Sequence, residues 1–373
     1  MQLQSLRLLS FRNYREQELT FSKPINIFVG DNGQGKTNLL ESIQLALGGS
    51  PFRGAETLQF ILKGEEQARI KALFNLHQSF EQVEVQIQNQ QKVFLMNEKK
   101  VQRSQLWKKF GSVTFSPESL KIIKAGPSER RAFIDGLTIS IQPQTWSLYS
   151  QYLKCLKQRN QQLRLMKEGA QDKKSYAVLE NLTENFLRLA AEITVLRLSS
   201  IQKLNQKIKA NFSAIMNQQN VDIAVDYVIS GQSAIAWEKN QVYDALRSRQ
   251  TELSQSEILS GQSLIGPQKH DLLFLFQKED ARYFCSQGQQ RSIVLAAKIG
   301  QIELHRELRG HTPLLLLDDV LSELDETRRK KLIEVLVQLK TPIYLTTTEI
   351  ENCREFGSES ISTFKIANGV VNR

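Results

Sequence analysis

Eight consecutive residues, Gly30-Asp31-Asn32-Gly33-Gln34-Gly35-Lys36-Thr37, carry the spacing G-x-x-x-x-G-K-[ST]. That spacing suits one chemistry, the cradling of a phosphate chain. Glycines let the backbone curl until its N–H groups converge on an anion. A helix opening at Lys36 adds its partial positive charge at the same point. Lys36 has the reach to touch β- and γ-phosphates, and the Thr37 hydroxyl is a hard ligand for Mg2+. Gly30, Asp31, Asn32, Gly33, Gln34, Gly35, Lys36, Thr37 and Asn38 are therefore the expected cradle for a nucleoside triphosphate.

Two further stretches could complete such a site. Thr312-Pro313-Leu314-Leu315-Leu316-Leu317-Asp318-Asp319 is an apolar run closed by two carboxylates. In a parallel sheet this strand would lie beside the one that feeds the phosphate loop, bringing Asp318 to the Mg2+ and Asp319 to the attacking water. The bland alternative is a core strand whose acids cap the next helix; the phosphate loop on the same chain weighs against it. Ser286-Gln287-Gly288-Gln289-Gln290-Arg291 precedes an apolar-faced helix expected over 292–308. A helix N-terminus there would be a second anion site, although the string by itself is mostly a helix cap.

These residues need elements to position them. Ile25-Asn26-Ile27-Phe28-Val29 reads as a buried strand before the loop. Leu39, Leu40, Ile43 and Leu47 recur at helical spacing after it, until Gly48-Gly49 stops the helix. Residues 2–11 and 17–21 read as strands, and the alternation over 68–96 predicts an antiparallel sheet with one wet face. Ser112-Val113-Thr114-Phe115 is another strand, stopped at Ser116-Pro117. From 143 to 212 the pattern is helical. Trp146, Tyr149, Leu153 and Leu156 share one face, and Leu179, Leu182, Phe186, Leu189, Ile193 and Leu196 share another. Gly169-Ala170-Gln171-Asp172 between them predicts a helical hairpin. A β-like patch at 221–229, a helix over 233–257 and a strand at 272–276 follow.

Bulk properties set the frame. The chain has 373 residues, enough for two domains, and a formal charge of +10 that makes a polyanionic partner reasonable. Cys155, Cys285 and Cys353 form no C-x-x-C and suit a reducing cytosol. His77, His270, His305 and His311 lack metal-ligand spacing and read as structural or surface residues. No secretory leader and no apolar run long enough to span a membrane is visible.

The order of the motifs resembles the ABC-type ATPase head of the SMC superfamily and, more closely, the RecF family of bacterial recombination mediators. The resemblance covers roughly residues 1–135 and 260–373. It is carried by Leu9-Ser10-Phe11-Arg12-Asn13-Tyr14, the phosphate loop, Phe115-Ser116-Pro117-Glu118 and Pro127-Ser128-Glu129-Arg130-Arg131-Ala132-Phe133-Ile134-Asp135. Ser286 to Arg291, Leu317-Asp318-Asp319-Val320-Leu321-Ser322-Glu323-Leu324-Asp325 and Thr346-Thr347-Thr348 continue it, and Gln158-Arg159-Asn160 falls in the middle. The family's usual Gly-Pro-His-Arg-Asp-Asp turn is here Gly266-Pro267-Gln268-Lys269-His270-Asp271.

The resemblance implies an α/β fold: an ABC-type P-loop ATPase head of mixed β-sheets and helices, with an inserted, mostly helical arm. The head would be built from residues 1–135 and 260–373, and the arm from 136–259. It implies ATP and Mg2+ as ligands. Two heads would pair head to tail, with Ser286, Gly288 and Gln289 of one closing over the nucleotide of the other. Lys36, Asp319 and Ser286 would be catalytic, and Thr37 and Asp318 would hold the metal. Thr347 or Thr348 would replace the switch histidine of transporters. Asp319, one methylene shorter than the usual Glu, predicts slow, switch-like turnover. Implied partners are duplex DNA, single-strand/double-strand junctions, RecR and RecO, with no membrane; the setting would be the bacterial cytoplasm and nucleoid, and DNA would stimulate a weak ATPase. Candidate DNA contacts are Lys99, Lys100, Arg103, Lys108 and Lys109, then Lys203, Lys207 and Lys209; a solvated basic face is an equal reading of each run. The competing readings are a transporter ATPase subunit, an SMC-like chromosome-organising ATPase and a binding module with a relic nucleotide site.

Overall fold

The structure is a computed structural model that describes residues 1–51, 57–76, 79–218 and 221–372. His77 lies outside the described residues. Two compact units emerge: Met1–Leu120 with Lys207–Val221 and Ser286–Arg373, and Lys121–Gln206 with Asp222–Cys285. The sequence places its boundaries at 135/136 and 259/260; the compact division assigns 121–135 and 260–285 to the second unit and 207–221 to the first.

The first unit holds two six-stranded sheets. One is antiparallel and runs Tyr14–Thr20, Gln2–Phe11, Gln67–Leu76, Ser79–Gln88, Gln91–Met96, Lys99–Val101. Its alternation is the expected one in two strands, where Ala68, Ile70, Ala72 and Phe74 face the core, as do Val83, Val85 and Ile87; in Gln91–Met96 Phe94 and Met96 pack on that core, not the expected Val93 and Leu95, because they register with Val85 and Val83. Its outer strand starts at Tyr14 rather than residue 17, because Phe11 pairs with Tyr14 in a tight hairpin. The other sheet runs Val370–Asn372, Ile361–Ala367, Ile25–Val29, Ile343–Thr347, Leu314–Asp318, Ser112–Phe115. Its last five strands are mutually parallel. Strands covered on both faces read as continuous apolar runs, which is why Leu314 to Leu317 lacks alternation.

One strand, Ile343–Thr347, separates the phosphate-loop strand from the Asp318 strand, where direct adjacency was expected. The helix Lys36–Ala46 packs Leu39, Leu40 and Ile43 into the core between the sheets. Phe21 meets Phe28, Tyr344 and Phe364 at ring-centroid distances of 6.3, 5.3 and 5.5 Å, which fixes the rear of the parallel sheet.

The second unit is mostly helical. Trp146–Lys167 and Lys173–Met216 form the expected hairpin, the latter 44 residues long and continuing into the first unit's residues. The apolar face assigned to the first of them is partly wrong. Leu153 is 52% exposed, and the buried residues are Tyr149, Tyr152, Cys155, Arg159, Leu163 and Met166. A buried arginine defeats a hydrophobicity count: Arg159 is hidden because Glu257 pairs with it at 2.6 Å. A small sheet, Gln232–Ser233, Ile223–Ile229, Asp271–Phe276, Glu279–Asp280, completes the unit. The following helix spans Lys239–Ser260, not 233–257, because Glu238 and Gln241 form a capping box.

Candidate nucleotide-binding site

Local sequence shapes the phosphate loop before any ligand arrives. Gly33 and Gly35 have φ of 81° and 110°, the left-handed region open to glycine. Gly35 is also hemmed in sterically, since a Cβ there would lie 2.4 Å from Asn13 Nδ2. Asn13 Nδ2 donates to the Gln34 carbonyl at 3.0 Å, and its Oδ1 accepts from Asn38 Nδ2 at 2.8 Å. The Tyr14 hydroxyl donates to the Gly35 carbonyl at 2.9 Å. The Gln34 side chain accepts from the Asn368 amide, and the Gln34 carbonyl accepts from the Gly369 amide at 3.3 Å. The loop is thus braced from the first hairpin and from the last. Asn13 and Tyr14 enter the sequence analysis only as part of a family string; their bracing role has no local signature, because the partners lie about twenty residues away.

No described side chain caps the helix Lys36–Ala46. Its first-turn N–H groups therefore remain available to an anion. Lys36 is buried, and burial lowers its ammonium pKa, opposed by Asp319, Asp318 and Asp31 in that order. Its Nζ donates to the carbonyls of Gly30 and Asp31, the latter at 3.0 Å.

Thr37 Oγ1 lies 2.9 Å from both carboxylate oxygens of Asp318, across 281 residues of sequence. A hydroxyl and a carboxylate are the hard oxygen donors that Mg2+ takes from proteins, with phosphate and water supplying the rest. Among the described residues no group of three or more His, Cys, Asp or Glu could hold a metal unaided. The residues present therefore fit Mg2+ carried with a nucleotide.

Asp318 is buried and also accepts from the Thr346 hydroxyl at 2.8 Å. The Thr346 oxygen in turn accepts the Asp319 amide at 2.9 Å. Asp319 has φ of 52°, unusual for a side chain with a Cβ. Ser322 Oγ donates to its carboxylate at 2.5 Å and lies 3.0 Å from its carbonyl. Thr346 enters the sequence analysis only as the first residue of the string Thr346-Thr347-Thr348, with the role there given to Thr347 or Thr348; its partners Asp318 and Asp319 lie 28 and 27 residues away. Thr347 is buried, with its hydroxyl bonded to the Glu349 carbonyl at 3.0 Å, and Thr348 is half-buried.

Ser286 is an exposed N-cap, and the helix behind it spans Gln287–Arg309, five residues earlier than the periodicity gives. The Ser286 side chain accepts the Gln289 amide at 3.3 Å, and the Gln289 side chain accepts the Ser286 amide at 2.8 Å. The string is thus a capping box in the lone chain. A Cβ on Gly288 would lie 2.2 Å from Arg328 Nη1. Arg291 binds Glu323 at 2.6 Å, tying this helix to the Ser322–Asp325 stretch. Burial raises the Glu323 pKa against that pairing, with Asp319, Glu118 and Asp318 adding to the rise.

Lys99, Lys100 and Lys108 are exposed, while Lys109 pairs with Glu81 and Lys207 with Glu307. Arg103 donates to the Gly48 carbonyl and to Ser50 Oγ, the latter at 2.9 Å. His270 is buried and bonds the Tyr227 hydroxyl at 2.9 Å, as befits a structural histidine.

The chain matches the model of the family described as RecF/RecN/SMC N terminal domain over residues 2–372. The DNA replication and repair protein RecF of Lacticaseibacillus casei (strain BL23) is 33% identical over 374 residues, covering 100% of both chains. Its counterpart in Thermoanaerobacter sp. (strain X514) is 34% identical over 373 residues, covering 100% of this chain and 99% of its own. A solved structure of the recombination mediator protein RecF with ATP, described within the RecFOR pathway, superimposes with a TM-score of 0.87 at 30% identity, covering 100% of this chain and 98% of that one. The Smc head domain of Pyrococcus furiosus bound to the C-terminal domain of ScpA gives a TM-score of 0.56 at 14% identity, over 99% and 95% of the two chains. That is a likeness of fold alone, and it bears out the expected ATPase head of mixed sheets with a helical insertion. With the family model matched end to end and relatives above 30% identity over their full length, this chain belongs to the RecF family.

Proposed function

We propose that the chain is an ATP-dependent DNA-binding switch of recombinational repair and replication restart. ATP would be held by Gly30, Asp31, Asn32, Gly33, Gln34, Gly35, Lys36, Thr37 and Asn38. Two copies would pair head to tail, with Ser286, Gly288 and Gln289 of each facing the other's phosphate loop. The pair would bind duplex DNA or single-strand/double-strand junctions through phosphates, with RecR and RecO as protein partners. The single observation that carries this reading is the Thr37–Asp318 contact at 2.9 Å, which joins the phosphate loop to the acid-tipped strand.

The residues divide the work. Lys36 exchanges two backbone carbonyls for phosphate oxygens, a favourable trade for a buried ammonium. Thr37 and Asp318 would hold Mg2+, which would supply charge neutralisation at those oxygens. Asp319 takes a proton from water as water's oxygen bonds to the terminal phosphorus and the bond to the β,γ-bridging oxygen breaks, giving ADP and phosphate. The Ser286 end of its helix favours an anion that ATP has and ADP lacks, so hydrolysis removes the contact that distinguishes the paired state. A chromosome organiser of the same superfamily would need hundreds of coiled-coil residues, whereas the longest described helix has 44.

Sedimentation of the purified protein with ATP, ADP or no nucleotide, each with and without duplex DNA, tests the reading. A dimer only with ATP, strengthened by duplex, is the expected outcome. Normal ATP-induced pairing of Ser286→Arg would overturn the head-to-tail arrangement.

A further inference from the structure

We infer that Thr346 is a positioning residue that couples the metal-binding carboxylate of Asp318 to the orientation of Asp319; this rests on the roles proposed above for those two acids. One hydroxyl serves both. It donates to Asp318 Oδ1 at 2.8 Å and accepts the Asp319 N–H at 2.9 Å. Thr346 is 1% exposed, so water offers no replacement partner on either side. Parallel register sets it directly beside Asp318 on one flank and Phe28 on the other, one residue before the end of the strand that separates the two halves of the site.

Asp319 benefits from such a hold. Its φ of 52° lies in the left-handed region, which costs a residue with a Cβ some strain and is less costly for Asp than for most. Two bonds hold it there: the Thr346 oxygen on its amide, and Ser322 on its carboxylate at 2.5 Å. A continuous chain therefore runs Thr37, Asp318, Thr346, Asp319, Ser322. A divalent cation held by Thr37 and Asp318 would partly neutralise the Asp318 carboxylate. The Thr346 hydroxyl then binds that carboxylate less strongly, and the shift reaches the Asp319 backbone through the same oxygen. Thr346 thus makes the aim of the water-activating acid depend on occupancy of the metal site.

Thr346→Val keeps the volume and β-branching but deletes the donor and the acceptor; Thr346→Ser keeps both. Single-turnover ATP hydrolysis, the Mg2+ midpoint of that rate, ATP affinity and ATP-induced dimerisation are measured on each. The expected result is a loss of about tenfold or more in the hydrolysis rate of Thr346→Val, with a raised Mg2+ midpoint. ATP affinity and dimerisation stay within about twofold, and Thr346→Ser recovers the rate. A purely structural threonine would change affinity and rate together, or neither. Parental rate and Mg2+ midpoint in a dimerising Thr346→Val overturn the inference. Should Thr346→Val fail to fold, Thr346→Cys, a poor donor and acceptor of similar size, is held to the same two outcomes. Failure of the parent protein to dimerise with ATP would count against the proposed function instead, because the inference is read from the ratio of variant to parental hydrolysis rate under one set of conditions.

Discussion

At the scale of single residues, Gly35 has little freedom to vary. Its φ of 110° and the 2.4 Å approach of Asn13 oppose any side chain for independent reasons. Gly35→Ala should lower ATP affinity about tenfold or more, equivalent to ~1.4 kcal/mol, because Asn13 must release Gln34 and Asn38; calorimetric titration checks it. His270 makes a different demand. Burial first, then Arg197 and Arg131, push its pKa down to about 3. Arg197 is itself tied to Asp135 at 2.8 Å and to the Tyr227 hydroxyl at 3.1 Å, so an imidazolium would face two guanidiniums. The unfolded chain binds this proton at an ordinary histidine pKa and the folded chain does not. Stability is therefore complete above about pH 6.5 and falls as pH drops towards 3. Urea unfolding midpoints should decline between pH 7 and 5, and His270→Gln should flatten that decline.

At the scale of elements, the helix Trp146–Lys167 is held by polarity as much as by grease. Arg159 donates to both Glu257 oxygens, to Ser263 Oγ at 2.7 Å and to Thr183 Oγ1 at 2.9 Å, and Leu264 gives its amide to Glu257 at 2.8 Å. Every polar atom of the pair has work, which is the condition for burying charge. Arg159→Met should cost about 3–5 kcal/mol in urea unfolding by stranding Glu257. The double variant Arg159→Met/Glu257→Leu should recover most of that loss. A pair of this kind is invisible to periodicity: Arg159 falls outside the apolar pattern of its helix, and its partner lies 98 residues on. Elements whose apolar positions follow a plain period, such as Ser79–Gln88 and the helix Lys36–Ala46, were readable at the level of single faces, although Glu81, Lys36, Glu41 and Ser42 are buried beside those apolar residues. The helices Lys239–Ser260 and Gln287–Arg309 start away from their expected positions because a cap, not a face, set the boundary, at Glu238 and Ser286.

At the scale of the whole molecule, a formal charge of +10 gives the chain an attraction to any polyphosphate. Phosphate contact makes the logarithm of the DNA-binding constant fall linearly with the logarithm of salt concentration. Lys99→Gln and Lys100→Gln, on an exposed edge strand, should each reduce that slope by about one. An unchanged slope would remove these lysines from the interface. The same measurements repeated with ATP should steepen the slope, since a pair presents twice the basic surface.

Chemistry that depends on neighbours in sequence was determined by the sequence alone. The phosphate loop, the acid-tipped strand and the capped start of the helix Gln287–Arg309 are short strings whose backbone geometry follows from glycine freedom, apolar runs and local hydrogen bonds. Tertiary structure decided everything that joins distant strings: the strand Ile343–Thr347 between the two halves of the site, Thr346 linking Asp318 to Asp319, Asn13 bracing Gly35, and Glu257 hiding Arg159. A hydrogen bond or buried charge needs a partner whose position is fixed only once the sheets have formed and the core has closed, and no local pattern encodes that position.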